Sequence, residues 1–270
     1  MICEKIKLKQ EGSTDKAYAT TYILDYSEEI GIDKRPVIVV CPGGGYGFVS
    51  DREAEMMTIS YNAMGYHSVV VRYSVAPAVY PTALLELGSV IAMLHEKAEE
   101  WRIDTNKIII TGSSAGGHLT ASYGMFWNKG MIADKLGVDS SMLKPAGMIL
   151  NYPVITSGEY AHRGSFENLL NGFYDELVDE MSLEKQVNED TPKAFVWHTF
   201  EDDLVPVQNS LLLAAAMREK NIPVELHIYA KGGHGLGLAN ELTISRDGYG
   251  IEPICESWLA LVKTWLKENF

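Results

Sequence analysis

The sequence predicts an α/β fold with a mostly parallel central sheet and helices on both faces. Three observations predict it. Apolar runs rich in β-branched residues, among them "RPVIVVC", "HSVVVRY" and "KIIITG", are continuous rather than alternating, as strands covered on both sides require. Longer segments of helical spacing separate these runs, so the connections are crossovers and neighbouring strands run parallel. The opening stretches "EKIKLKQ" and "AYATTYILDY" look instead like half-buried strands, which gives the sheet an antiparallel start.

The elements follow in order. After the buried strand "RPVIVVC", the segment "SDREAEMMTISYNAMGY" opens with a capping-box pattern, Ser50 and Glu53, and closes on Gly65, so it is expected to be a helix. "HSVVVRY" returns as a strand. "PTALLELGSVIAMLHEKAEEW" places Pro81 at the first helical position, where a missing N–H costs nothing, and continues as a long helix. "KIIITG", "AGMILNYP", "KAFVWHTF" and "VELHIY" read as further strands. "AGGHLTASYGMFW", "QNSLLLAAAMREKN" and "PICESWLALVKTWLKENF" read as helices. Residues 156–190 break this rhythm with short polar and aromatic pieces and are read as a small helical cap insertion. There is no repeat, low-complexity tract or Pro/Gly/Ser-rich linker, so residues 1–270 are expected to form one domain.

Composition narrows the function. The 270 residues carry 23 Lys and Arg against 36 Asp and Glu, a net charge of −13, with no basic run to track phosphates. Nucleic acid is therefore not an expected partner. "MICEKIKLKQEGS" has neither the apolar core nor the cleavage site of a secretory signal, and later apolar runs are interrupted before membrane-spanning length. Cys3, Cys41 and Cys255 are widely spaced and form no CxxC pair, which argues against zinc and for a reducing cytoplasm.

The chemistry centres on "IIITGSSAGGHL". Gly112, Ser113, Ser114, Ala115 and Gly116 spell G-x-S-x-G between a buried strand and a helix. A strand that reverses sharply into a helix strains its middle residue, and only small flanking residues avoid collision. Such a turn lifts the Ser114 hydroxyl above the carboxyl edge of the sheet. A serine needs a base, a group that orients the base, and donors for the oxyanion. His234 in "KGGHGLG", just after a strand, is the base candidate. His67, His95, His118, His162, His198 and His227 fall in strands, helices or the cap, where a packed or solvated imidazole is expected. "HTFEDDLVPV" offers Glu201, Asp202 and Asp203; Asp202 is favoured at the tip of the turn, with Asp203 its rival. "CPGGGYG" can aim backbone N–H groups from Gly44 and Gly45, which with that of Ala115 would form an oxyanion hole. The Lys and Ser/Thr of a phosphate-binding loop are absent.

In this constellation the chain resembles the α/β-hydrolases, whose nucleophile, acid and base follow the order seen in Ser114, Asp202 and His234. The resemblance runs from about Val37 to the C-terminus. "RYSVAPAVYPTALLE" is similar to a segment of the hormone-sensitive-lipase-like esterases. Pro42 stands where their H-G-G-G motif has His, and the resulting "PGGGY" resembles bacterial carbohydrate esterases of acetyl-xylan and feruloyl type. The resemblance implies a serine carboxylesterase that acts on short-chain acyl esters, acetylated carbohydrate above all, with no cofactor or metal. Tyr46, Tyr160, Phe166, Phe173 and Tyr174 are the expected substrate-binding residues, since aromatic faces stack on sugar rings. Two alternatives stand beside it: a peptidase or arylformamidase on the same fold, and a binding protein that kept the scaffold without turnover.

Overall fold

The computed structural model describes residues 1–270. Eight strands form: β1 Lys5–Lys7, β2 Tyr18–Tyr22, β3 Arg35–Cys41, β4 His67–Arg72, β5 Ile103–Ser113, β6 Gly147–Asn151, β7 Ala194–Thr199 and β8 Val224–Tyr229. They make one sheet in the order β1-β2-β4-β3-β5-β6-β7-β8. The pairs β1/β2 and β2/β4 are antiparallel, and every other pair is parallel. Eight α-helices accompany them: α1 Glu55–Ala63, α2 Thr82–Glu96, α3 Ala115–Phe126, α4 Gly130–Leu136, α5 Arg163–Leu170, α6 Tyr174–Leu177, α7 Gln208–Glu219 and α8 Trp258–Asn269.

Alternation along each strand sends successive side chains to opposite faces, and here both faces are apolar. Val37, Val39, Ile108, Ile110, Met148 and Leu150 join the larger core with side chains of α2, α3 and α7. Ile38, Val40, Ile109, Ile149, Phe195 and Trp197 join the smaller core with α1 and α8, where Trp197 stacks on Trp258 at 5.3 Å. Each such aliphatic side chain contributes roughly 1.5–3 kcal/mol of transfer free energy, so the continuous runs hold the sheet centre rigid. The carboxyl ends of β3, β5, β6, β7 and β8 then present their following loops along one edge, the usual place for a ligand in an open α/β sheet.

Several local expectations need correction. The Ser50 side chain makes no cap hydrogen bond; Asp51–Glu53 is a short 3₁₀ turn, and α1 starts at Glu55. Glu53 is drawn inward instead, because the buried N–H of Gly43 takes its carboxylate. Pro81 is the residue before α2 rather than its first helical residue. The helix α4 follows α3 where the sequence pattern predicts none, and it ends on Gly137 in the left-handed conformation at φ 67°. Between residues 156 and 190 the chain forms α5, α6 and two 3₁₀ turns, packed on the core through Phe166, Leu169, Leu170, Met181 and Leu183. No helix is long and apolar enough to cross a membrane.

Candidate active site

Ser114 sits where β5 turns into α3, with φ 54° and ψ −120°, a conformation that L-residues rarely adopt. The flanking glycines explain how the chain tolerates it. A Cβ on Gly112 would lie 2.1 Å from the Gly116 carbonyl oxygen, and one on Gly116 would lie 2.1 Å from that of Cys41. Glycine at both positions therefore lets α3 begin directly against the end of β3. The two hydroxyls of the turn divide: Ser113 points inward and accepts from Asn151 Nδ2 at 3.1 Å, while Ser114 faces the sheet edge.

Ser114 Oγ lies 2.7 Å from Nε2 of His234, whose Nδ1 lies 2.7 Å from Oδ2 of Asp202. An ionised carboxylate only accepts, so Nδ1 carries the ring proton and Nε2 presents its lone pair to the serine hydroxyl. Asp202 is fully buried at its side chain, and His234 is 11% exposed. The Asp202 Oδ1 atom accepts the N–H groups of Leu204 and Val205 at 3.1 and 2.9 Å, which fixes the turn after β7. Asp203 is exposed.

A second imidazole stands behind the acid. His198, on β7, places Nε2 2.8 Å from the Val205 carbonyl and 3.3 Å from Asp202 Oδ2, and its Nδ1 lies 2.7 Å from Ser210 Oγ. Two acceptors face Nε2, so Nε2 holds the proton and Nδ1 accepts from the serine. Burial alone would raise the Asp202 carboxyl; hydrogen bonds from His198 and His234 outweigh it and hold it below the usual carboxylate range. The sequence places Asp202 at the tip of the turn, and it is the carboxylate that meets His234, whereas His198 carries no signal beyond its place in a buried strand.

The glycine loop faces the same hydroxyl. The N–H groups of Gly44 and Gly45 are donated to no protein acceptor, while the Gly44 carbonyl takes those of Gly47 and Phe48 at 3.0 and 3.1 Å and closes the loop on itself. Ala115, the first residue of α3, directly follows Ser114. A cleft of about 450 Å³ opens over Ser114, with Gly44, Gly45, Ser50, Arg52, His162, Asn168 and His234 in its wall. Phe48 and Leu204 are its apolar members. His162 is held below the usual imidazole value, first by burial and then by the neighbouring His234.

None of the five aromatic residues expected to bind substrate lines this cleft. Phe166 is 1% exposed and packs edge-on against His118 at 5.3 Å, because the apolar face of α5 turns into the core. Tyr46 is 3% exposed, with its hydroxyl 2.9 Å from His118 Nδ1. Tyr174 packs on the same core, Tyr160 is half-buried, and Phe173 is exposed on a 3₁₀ turn. Asn168, Arg52 and Tyr152 carry no motif in the sequence, and Glu53 has the spacing of a cap. Tyr152 follows β6 at the carboxyl edge of the sheet, the one feature that could have singled it out.

Known proteins share this architecture. The acetyl ester-xyloside bifunctional hydrolase from Caldicellulosiruptor lactoaceticus superposes with a TM-score of 0.80 at 32% identity, covering 98% of this chain and 96% of that one. With the mostly parallel eight-stranded sheet, this likeness shows the α/β-hydrolase fold. Endo-1,4-beta-xylanase B of Butyrivibrio fibrisolvens is 36% identical over 218 residues, 77% of this chain and 33% of that protein. An acetylxylan esterase of Xylanibacter ruminicola is 32% identical over 213 residues, 74% of this chain and 41% of its own length. The chain thus spans about a third of the first of these relatives and about two fifths of the second. The BD-FAE family profile matches residues 25–217, well over half of the sequence, and the chain belongs to the BD-FAE family.

Proposed function

We propose that the protein is a serine carboxylesterase acting on short-chain acyl esters, with acetylated carbohydrate as the substrate class. The observation that carries this reading is the unbroken relay from Ser114 Oγ through His234 to the buried Asp202 at the floor of a polar cleft.

In this reading Ser114 Oγ bonds to the ester carbonyl carbon while its proton passes to His234 Nε2. The carbonyl electrons move to oxygen, and the N–H groups of Gly44, Gly45 and Ala115 receive the oxyanion. Collapse breaks the bond to the alcohol, which leaves with the proton from His234. Water, deprotonated by the same nitrogen, then releases the acid and restores Ser114. Asp202 keeps the imidazole in the tautomer that both halves need.

The cleft wall supports the substrate class. His162, Asn168, Arg52 and Ser50 offer hydrogen-bonding groups suited to hydroxylated substrates, and Phe48 and Leu204 are the apolar side chains in the lining of this cleft. The names of the relatives, an acetylxylan esterase and an acetyl ester-xyloside hydrolase, support the same direction. Cys3, Cys41 and Cys255, none of them in a disulfide, support a reducing compartment, the cytoplasm.

The test is hydrolysis of p-nitrophenyl acetate, acetylated xylo-oligosaccharides and aminoacyl-p-nitroanilides, with fluorophosphonate labelling alongside. Ester turnover and acetate release, with labelling abolished in Ser114→Ala, are expected. Faster cleavage of the anilides would replace the esterase by an amide hydrolase, and absence of labelling would leave a binding protein.

A further inference from the structure

Glu53 lies in the wall of the same cleft, yet it is only 4% exposed and has no basic side chain as a partner. A carboxylate in such a place is costly unless donors meet its oxygens. Its Oε2 accepts the Gly43 N–H at 2.8 Å, and its Oε1 accepts the Tyr152 hydroxyl at 2.7 Å. Tyr152 is itself 1% exposed, and its hydroxyl oxygen accepts the Gly237 N–H at 2.9 Å. The Tyr152 ring meets the His234 ring edge to face, with centroids 5.3 Å apart.

One carboxylate and one phenol therefore join three loops: the glycine loop after β3, the turn after β6 and the His234 loop after β8. Gly43 directly precedes Gly44 and Gly45, so holding its N–H sets where their N–H groups point. Gly237 lies three residues beyond His234, so holding its N–H sets the base from the far side. Oxyanion donors act only within about 2.7–3.1 Å of the developing charge, and a displacement near 1 Å costs on the order of 10²-fold in rate. Close packing leaves little slack, since a Cβ on Gly43 would lie 2.6 Å from Glu53 Oε2 and 2.9 Å from Ser114 Cβ.

We propose that Glu53 is a positioning residue: through Tyr152 it locks the glycine loop to the His234 loop, so that oxyanion donors and base keep one register relative to Ser114. This rests on the reading of Ser114 and His234 given above. Both Glu53 oxygens are engaged by other groups, so the residue acts through the loops and takes no proton in the reaction.

The experiment compares wild type, Glu53→Gln, Tyr152→Phe and the double variant on p-nitrophenyl acetate, with reactive serines counted by fluorophosphonate titration. Glutamine keeps one acceptor oxygen where two are needed, and phenylalanine removes the phenol that reaches Gly237. Each single variant is expected to lose at least about tenfold in kcat per titrated serine, with KM within about twofold, since the donors act on the transition state. The double variant is expected to fall no more than about threefold below the weaker single one, because both changes break one connection. A purely structural role would reduce the number of titratable serines and leave kcat per serine unchanged, which overturns the proposal. Losses that multiply in the double variant overturn it as well. Wild-type protein that neither labels nor turns over would overturn the reading of Ser114 and the proposal with it. Should Glu53→Gln not fold, Tyr152→Phe is judged by the same single-variant criterion.

Discussion

The Nδ1 atom of His234 lies 2.7 Å from Oδ2 of Asp202, although 32 residues separate them in the chain. The contact joins the loop after β8 to the turn after β7, and those strands are neighbours in the sheet. It aligns the imidazole so that its free nitrogen meets Ser114, and from it the sharpest expectations arise.

Replacing Ser114 by alanine removes the oxygen proposed to attack while leaving the turn in place. The expected loss in kcat on p-nitrophenyl acetate is at least about 10³-fold, with the melting temperature little changed. Retention of more than about a tenth of wild-type turnover would refute the assignment.

Asp202→Asn is expected to lower kcat by about 10²–10⁴-fold, because the amide favours the wrong imidazole tautomer, while Asp203→Asn stays within about twofold. Comparable losses in the two variants would remove Asp202 from the role proposed for it.

The Asp202 carboxyl also makes a prediction about stability. Its folded value is depressed by His198 and His234 in spite of burial. Such a group contributes stability that is fully present above the unfolded carboxylate value of about 3.9 and is lost as pH falls below it. In urea unfolding, the stability gap between wild type and Asp202→Asn should be constant from about pH 7 to 5 and narrow below about pH 4. A gap that widens on acidification would contradict the depressed value.

His67 and His118 set a second pH window. Burial pushes both imidazoles down to about 4. The unfolded chain takes up these protons near pH 6.5 and the native state does not, so stability falls as pH drops from about 6.5 to about 4 and then levels off. Each residue adds a slope of at most about 1.4 kcal/mol per pH unit, and His118→Gln should flatten the measured slope. An unchanged slope in that variant would show that His118 titrates normally.

Gly44 and Gly45 should separate cleanly. A Cβ on Gly44 would lie 2.0 Å from the Phe48 carbonyl oxygen at φ +129°, whereas one on Gly45, at φ +59°, has nothing nearer than 3.7 Å. Gly45→Ala is expected to cost about 1–2 kcal/mol for a left-handed alanine. Gly44→Ala should distort the loop and reduce kcat far more, which a side-by-side assay of melting temperature and turnover would reveal.

Phe166→Ala should act on stability and leave substrate binding alone. The ring is buried against His118, so its removal is expected to cost about 3–5 kcal/mol, with KM for acetylated xylo-oligosaccharide unchanged. A raised KM at full occupancy of the folded state would return the residue to the pocket.

By itself the sequence determined the succession of strands and, α4 apart, of helices along the chain and the local setting of Ser114, because continuous β-branched runs and a glycine-flanked serine declare their conformation through short-range sterics. It also marked His234 and the acidic turn as residues at strand ends. Strand order, and with it the meeting of Ser114, Asp202 and His234 at one edge, is decided by which strands pair across the sheet. Short-range pattern also misled where burial overruled it. Glu53 has the spacing of a helix cap, but an inward-facing N–H at Gly43 and a buried phenol at Tyr152 are stronger claims on a carboxylate than a solvent-exposed helix end. The cap aromatics lie outside the lining of the cleft for the matching reason: which side of a short helix faces the core depends on what it packs against, and for Phe166 that partner, His118, lies 48 residues away in the chain.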